Sequence, residues 1–226
     1  CPMTSWGRWP APATESILLS MARDELQAAV DAAGEAGKLI LQFYGGDYDV
    51  RNKGEDPSKG KLTGDALRSS DYDPVTSADE AADAHLKKAL SDAFPQHGWL
   101  SEETVDSPER LSASSVWIVD PIDGTKEFLE GIPEFAVSIA LVEDGEPTVA
   151  ALYNPAADEM YTAIKGGGTF LNGQRVFCSE LVDLSDASLI VSRSEKARGE
   201  VDAIEPFLGE VRPVGSVAYK LAVVAA

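Results

Sequence analysis

The sequence predicts an α+β fold, with helices packed on a largely antiparallel sheet and then a shorter segment of α/β character. Three observations carry this reading. Apolar residues recur at helical spacing near the N-terminus and again after residue 77. The middle of the chain alternates apolar and polar residues between short turn sequences. From about Asp186, short apolar strands alternate with helical stretches.

Leu26, Val30, Ala33, Gly37, Ile40 and Leu41 share one helical face, so Asp24 to Phe43 reads as an amphipathic helix closed by Gly45-Gly46. A polar segment from Asp47 to Tyr72 follows, rich in Gly, Lys, Asp and Ser. A loop this long is either functional or disordered. A second helix spans Ala78 to Phe94, with Ala82, Leu86 and Leu90 facing inward, and Val116 to Val119 is a strand. Phe135 to Val142 and Thr148 to Tyr153 flank Asp144-Gly145, a tight hairpin signal. Met160 to Ile164 and Thr169 to Leu171 flank Lys165-Gly-Gly-Gly168, and Asn172-Gly173 marks another turn. Further on, Ser188 to Ser192 and Val211 to Val214 are short strands, while Val201 to Leu208 and Val217 to Ala226 are helical. The organisation is therefore a leader (1–20), a larger lobe (21–185) and the start of a second lobe (186–226). The leader is rich in Pro, Trp and Ser, lacks a signal-peptide core, and precedes Met21, a plausible start. It is read as upstream sequence, disordered chain or a tag.

Composition is globular: 226 residues, 44% hydrophobic and 25% charged. Acids outnumber bases 38 to 19, for a net charge of −19. That excess argues against nucleic-acid binding, which needs a basic footprint. It also repels an anionic substrate unless bound cations reverse the field locally. Cys1 and Cys178 make neither a disulfide framework nor a zinc pattern, which fits a cytoplasmic location, and no apolar run has the length of a membrane span. The histidines, His85 and His97, lack metal-ligand spacing and read as surface or packing residues.

Three acidic elements stand out. The first is Val116-Trp-Ile-Val-Asp-Pro-Ile-Asp-Gly-Thr125, where an apolar strand ends on Asp120, a second acid follows at Asp123, and Gly124-Thr125 opens a helix. Carboxylates at a strand end can share hard divalent cations, and N–H groups at a helix start favour an anion. Asp-Pro and Asp-Gly are also ordinary turn dipeptides. The second element is Glu102-Glu103, which alone reads as readily as a solvated face. The third, Thr76-Ser-Ala-Asp79, has the spacing of a capping box.

In this order the three elements resemble the inositol monophosphatase-like superfamily of magnesium-dependent, lithium-sensitive phosphatases. The family pattern is an acid after Val-Thr, a Glu-Glu pair, then Asp-Pro-Ile/Leu-Asp-Gly-Thr. The resemblance runs from about Leu26 to Ala226. Within it, Gly124-Thr-Lys-Glu-Phe-Leu129 and Glu134-Phe-Ala-Val-Ser-Ile-Ala-Leu141 look most like the CysQ branch of 3'(2'),5'-bisphosphate nucleotidases, a part of sulfur metabolism. The resemblance implies a layered αβαβα sandwich with the second lobe incomplete, a homodimer as one possible assembly, and adenosine 3',5'-bisphosphate as substrate. Inositol phosphate, histidinol phosphate or a sugar bisphosphate are alternatives within the same chemistry, and a non-catalytic metal- or nucleotide-binding remnant is an alternative outside it.

It also implies two or three Mg²⁺ ions. Glu102, Asp120 and the Ile122 carbonyl would hold the first, and Asp120 with Asp123 the second. Asp79 and Thr125 would position or activate the attacking water. Gly124, Thr125, Ser192, Gly215 and Ser216 match substrate-side positions, although Gly215-Ser216 also reads as a plain helix cap. Glu103 would orient the site from behind the ligands. Lys53 is the nearest match to a loop lysine that shapes the metal site, with a solvated lysine as its other reading; the extra residues at 55–70 depart from the family's shorter loop. The family pattern continues to a Trp-Asp motif whose acid completes the second ion. This chain stops at Ala226 without it, and on that ground is read as part of a longer protein.

Overall fold

The computed structural model describes residues 12–46, 49–52 and 74–226. Helix α1 (Pro12–Phe43) starts twelve residues earlier than the apolar periodicity suggests. Pro12 suits a first helical position, where its missing N–H costs nothing. Short strands β1 (Val50–Asn52) and β2 (Pro74–Thr76) pair antiparallel. Helix α2 (Ser77–Ala93) follows directly and buries Ala82, Leu86 and Leu90, the stripe expected from their spacing.

A seven-stranded sheet forms the centre. Its order is β3 (Gly98–Ser101), β4 (Ser115–Asp123), β5 (Ala136–Glu143), β6 (Glu146–Asn154), β7 (Glu159–Ile164), β8 (Gly168–Leu171) and β9 (Gln174–Val176). Only the β3–β4 pairing is parallel; the other five are antiparallel. The hairpins fall where the Asp-Gly, Gly-Gly and Asn-Gly turns place them. Asp144 and Asn172 take positive φ, each just before a glycine that does the same.

Strand β4 does not stop at Asp120. It runs on to Asp123, with a register shift between Asp120 and Asp123. Pro121 has no N–H to give the ladder, so it interrupts the pairing with β5 without ending the strand. This irregularity turns both acids toward the sheet end, as described below.

Alternation of side chains splits the sheet into two faces. Trp117, Val119, Val137, Ile139, Leu141, Val149 and Ala151 pack against α1 and α2. Ala136, Leu152 and Tyr161 pack on the opposite face against Val214 and Tyr219. These last two belong to the C-terminal part, where β10 (Ser188–Val191) and β11 (Glu210–Pro213) form a parallel pair. Helices α4 (Arg193–Ala197) and α5 (Val217–Val224) follow those strands. The layers thus begin helix, sheet, helix, sheet, the α+β order expected.

Residues 201–208 are not a continuous helix. They form turns and a short 3₁₀ segment, Glu205–Phe207, because Pro206 removes a donor and restricts the residue before it. His97 is a packing residue, stacked on Phe94, with Nε2 2.9 Å from Glu25 of α1. No described helix is long and apolar enough to cross a membrane.

Candidate active site

The site is assembled at the ends of β3, β4 and α2, and closed by the C-terminal segment. Asp79 occupies the third position of α2 and is fully buried. The capping box expected from the sequence is present. Thr76 N–H donates to Asp79 Oδ2 at 2.7 Å, the Thr76 hydroxyl donates to the same oxygen, and Asp79 N–H donates back to Thr76 Oγ1 at 3.3 Å. The cap leaves Oδ1 facing the site, where Thr125 Oγ1 lies 3.2 Å away. Thr125 Oγ1 also lies 3.0 Å from the Ile122 carbonyl oxygen. One hydroxyl proton serves either acceptor, so Thr125 links Asp79 to the Asp120–Asp123 turn. Burial pushes the Asp79 carboxyl up to about 7, and the nearby Glu103 charge adds to this against hydrogen bonds from Thr76 and Thr125.

Glu102 and Glu103 are placed by a residue that the sequence motifs do not mark. Asp83, one turn beyond Asp79 on α2, is buried and accepts hydrogen bonds from the Ser101 and Thr104 hydroxyls. Ser101 Oγ in turn accepts from Glu103 N–H at 3.3 Å. The loop carrying both glutamates is thereby clasped to the helix carrying Asp79. The available signal was Asp79 and Asp83 at i,i+4 on the same face as Leu86 and Leu90, an odd place for two acids.

Asp120 Oδ1 accepts from Ile122 N–H at 3.1 Å, tightening the turn. Asp123 Oδ2 accepts from the Ser216 hydroxyl and from Ala218 N–H, at the start of α5. Gly124 takes φ of 100°, and a Cβ there would lie 3.0 Å from the Glu134 carbonyl oxygen and 3.1 Å from Ser216 Cβ. Both the backbone conformation and the close approach require glycine. Helix α3 (Thr125–Leu129) is held by Phe128, packed edge-on against Phe135.

Glu102, Asp120, Asp123, Gly124, Thr125, Ser192, Gly215 and Ser216 line one cavity of about 280 Å³, together with Lys126, Glu127 and Lys220. Eight residues expected at the site from the motifs therefore meet in one place, and Asp79 contacts it through Thr125. Ser216 caps α5, and its hydroxyl also holds Asp123. Ser192 caps α4 as well as lining the cavity. Lys53 and the 55–70 segment lie outside the described residues.

Among the described residues, no three His, Cys, Asp or Glu side chains form a ready-made cage for an ion. The donor set is nonetheless all oxygen, with four carboxylates, Glu102, Asp120, Asp123 and Glu127, on one cavity. That suits Mg²⁺, which keeps several waters and uses one or two carboxylates plus substrate phosphate rather than an all-protein cage.

Residues 22–226 match the model of the inositol monophosphatase family. Over 214 residues the chain is 38% identical to an inositol-1-monophosphatase of Rhizobium meliloti, covering 91% of this chain and 75% of that protein. It is 34% identical over 208 residues to the Nus factor SuhB of Escherichia coli K12, covering 89% and 72%. The solved structure of suhB from Bartonella henselae superposes with a TM-score of 0.73 at 32% identity, over 88% of this chain and 74% of that one. These relatives carry monophosphatase and SuhB names rather than that of a bisphosphate nucleotidase. On the family match, the sequence identity and the shared fold, the chain belongs to the inositol monophosphatase family.

Proposed function

We propose that the protein hydrolyses a phosphate monoester on a small sugar or polyol ring, with Mg²⁺, and that adenosine 3',5'-bisphosphate is its preferred substrate. Members of the family are metal-dependent phosphatases, generally with Mg²⁺. The observation that carries the reading is the shared cavity of Glu102, Asp120 and Asp123, with Thr125 reaching from it to buried Asp79. In this reading Glu102, Asp120 and the Ile122 carbonyl would hold one ion, and Asp120 with Asp123 would hold a second. Bound Mg²⁺ supplies Lewis acidity that neutralises phosphate oxygens and the departing alkoxide.

The chain's own residues do the rest. Thr125 Oγ1 accepts a proton from the attacking water and passes its own to Asp79 Oδ1. Asp79 Oδ1, left free by the cap, is the acceptor that Thr125 reaches at 3.2 Å. Glu103 keeps the acidic loop in register from behind Glu102. Gly124, Ser192 and Gly215 shape the floor on which the substrate lies.

The bisphosphate preference rests on Lys126 of α3 and Lys220 of α5, which both line the cavity. Lys220 also bears on the Glu195 carboxylate, whose pKa it helps to lower. A second phosphate on the substrate would use both charges. The names of the relatives favour a second reading, inositol 1-phosphate. Specificity constants for the two esters with Mg²⁺ separate them. A higher kcat/KM for adenosine 3',5'-bisphosphate, lost in Lys126→Ala, is expected; preference for the inositol ester would assign the protein to the monophosphatase branch.

A further inference from the structure

Ser216 is one of few non-glycine residues with positive φ, at φ 57° and ψ 129°, and unlike the others it sits in the candidate site. A backbone held in a sparsely populated region persists only where its surroundings enforce it. Asp123 enforces it from one side, through the Ser216 hydroxyl and Ala218 N–H. From the other side, Gly215 N–H donates to Glu134 Oε2 at 2.6 Å. Arg193 Nη2 lies 2.6 Å from that same oxygen.

Glu134 thus joins three segments. Its own segment is fixed to the sheet, because Asn154 Nδ2 donates to the Pro133 carbonyl at 3.0 Å and Asn154 is fully buried. Arg193 opens α4 at the end of β10, and Gly215 follows the end of β11. Strands β10 and β11 are parallel, and the turns at the carboxyl ends of parallel strands are where such folds place ligands. A Cβ at 215 would lie 2.3 Å from Glu127 Cγ, so a larger residue there requires the Glu127 side chain to move. The Glu134 and Arg193 side chains are 23% and 38% exposed, so their pairing is only partly screened.

We propose that Glu134 is a positioning residue. Its carboxylate, oriented by Arg193, docks the Gly215-Ser216 turn on the acidic turn of β4 and holds Ser216 in the strained conformation that grips Asp123. The docking itself is independent of the reaction; its effect on turnover rests on the phosphatase reading above.

Amide hydrogen exchange tests the docking without reference to activity. In Glu134→Ala, the Gly215 and Ala218 amides should exchange at least about tenfold faster than in the wild type, while Val137 and Ala151 in the sheet core stay within about twofold. Glu134→Gln keeps an acceptor for Gly215 N–H and should recover most of the protection. Arg193→Met should give an intermediate increase, and is judged by the same criterion if Glu134→Ala loses protection throughout the sheet. Wild-type exchange at Gly215 and Ala218 in the folded variants would overturn the proposal. With phosphate release measured alongside, Glu134→Ala should raise KM more than it lowers kcat. Absence of turnover in the wild type would count against the phosphatase reading, and the docking would still stand or fall on the exchange rates.

Discussion

Asp79 has two duties at the residue scale, and they explain each other. As a capping residue it must lie at the start of α2; as a buried acid it must face Thr125. The cap uses Oδ2 and the site uses Oδ1, so one side chain does both. The spacing Thr76-x-x-Asp79 was legible in the sequence, and so was its order relative to Glu102, Asp120 and Asp123. In cation-free protein the buried carboxyl has a consequence for pH. Its folded value of about 7 stands above the ordinary 3.8. Between about pH 4 and pH 7 the folded state keeps a proton that the unfolded chain has lost, so its contribution to stability falls as pH rises through that window. Chemical denaturation across pH 4–8 in chelator should show this decline, and Asp79→Asn should flatten it. An unchanged pH dependence in the variant would remove Asp79 as the cause.

Glu102-Glu103 shows, at the scale of elements, why a motif is not a site until helices and strands bring it in. The loop after β3 gets its position from Asp83 on α2, through Ser101 and Thr104. Asp83→Ala should strip an acceptor from two hydroxyls, costing about 1–3 kcal/mol in unfolding free energy. It should also weaken Mg²⁺ binding measured by calorimetry, because Glu102 loses its support. If Asp83→Ala left both unchanged, the clasp would have no role. This contact escaped the sequence reading because its partners lie 18 and 21 residues away, and nothing local marks the pairing. Strand β4 outruns its sequence signal for a local reason: Pro121 reads as a terminator, and only pairing with β5 shows that the strand continues. Helix α1 was cut short because periodicity locates a buried stripe rather than the full helical backbone. By contrast, the hairpins were legible because their Gly, Asn and Asp residues specify backbone conformations directly.

The whole molecule is an acidic body that must accept an anion. With a net charge of −19 and four carboxylates on the cavity, it needs cations there before phosphate can approach. Cation binding should accordingly stabilise the folded state. Millimolar Mg²⁺ should raise Tm of the wild type more than that of Asp120→Asn, by an amount set by the ratio of free ion to Kd. Equal shifts would mean that the ion binds elsewhere on the acidic surface. The joining of three segments by Glu134, Arg193 and Gly215 lay beyond sequence reasoning, since Glu134 and Gly215 are 81 positions apart. The most direct test of the central claim is phosphate release from adenosine 3',5'-bisphosphate and inositol 1-phosphate by the wild type and Asp120→Asn, as Mg²⁺ is titrated in and then chelated. A catalytic Mg²⁺ site at Asp120 predicts release that requires Mg²⁺, stops with chelator, and falls by at least about 10²-fold in a folded Asp120→Asn protein. Undiminished turnover in Asp120→Asn, or turnover that persists in chelator, would contradict it.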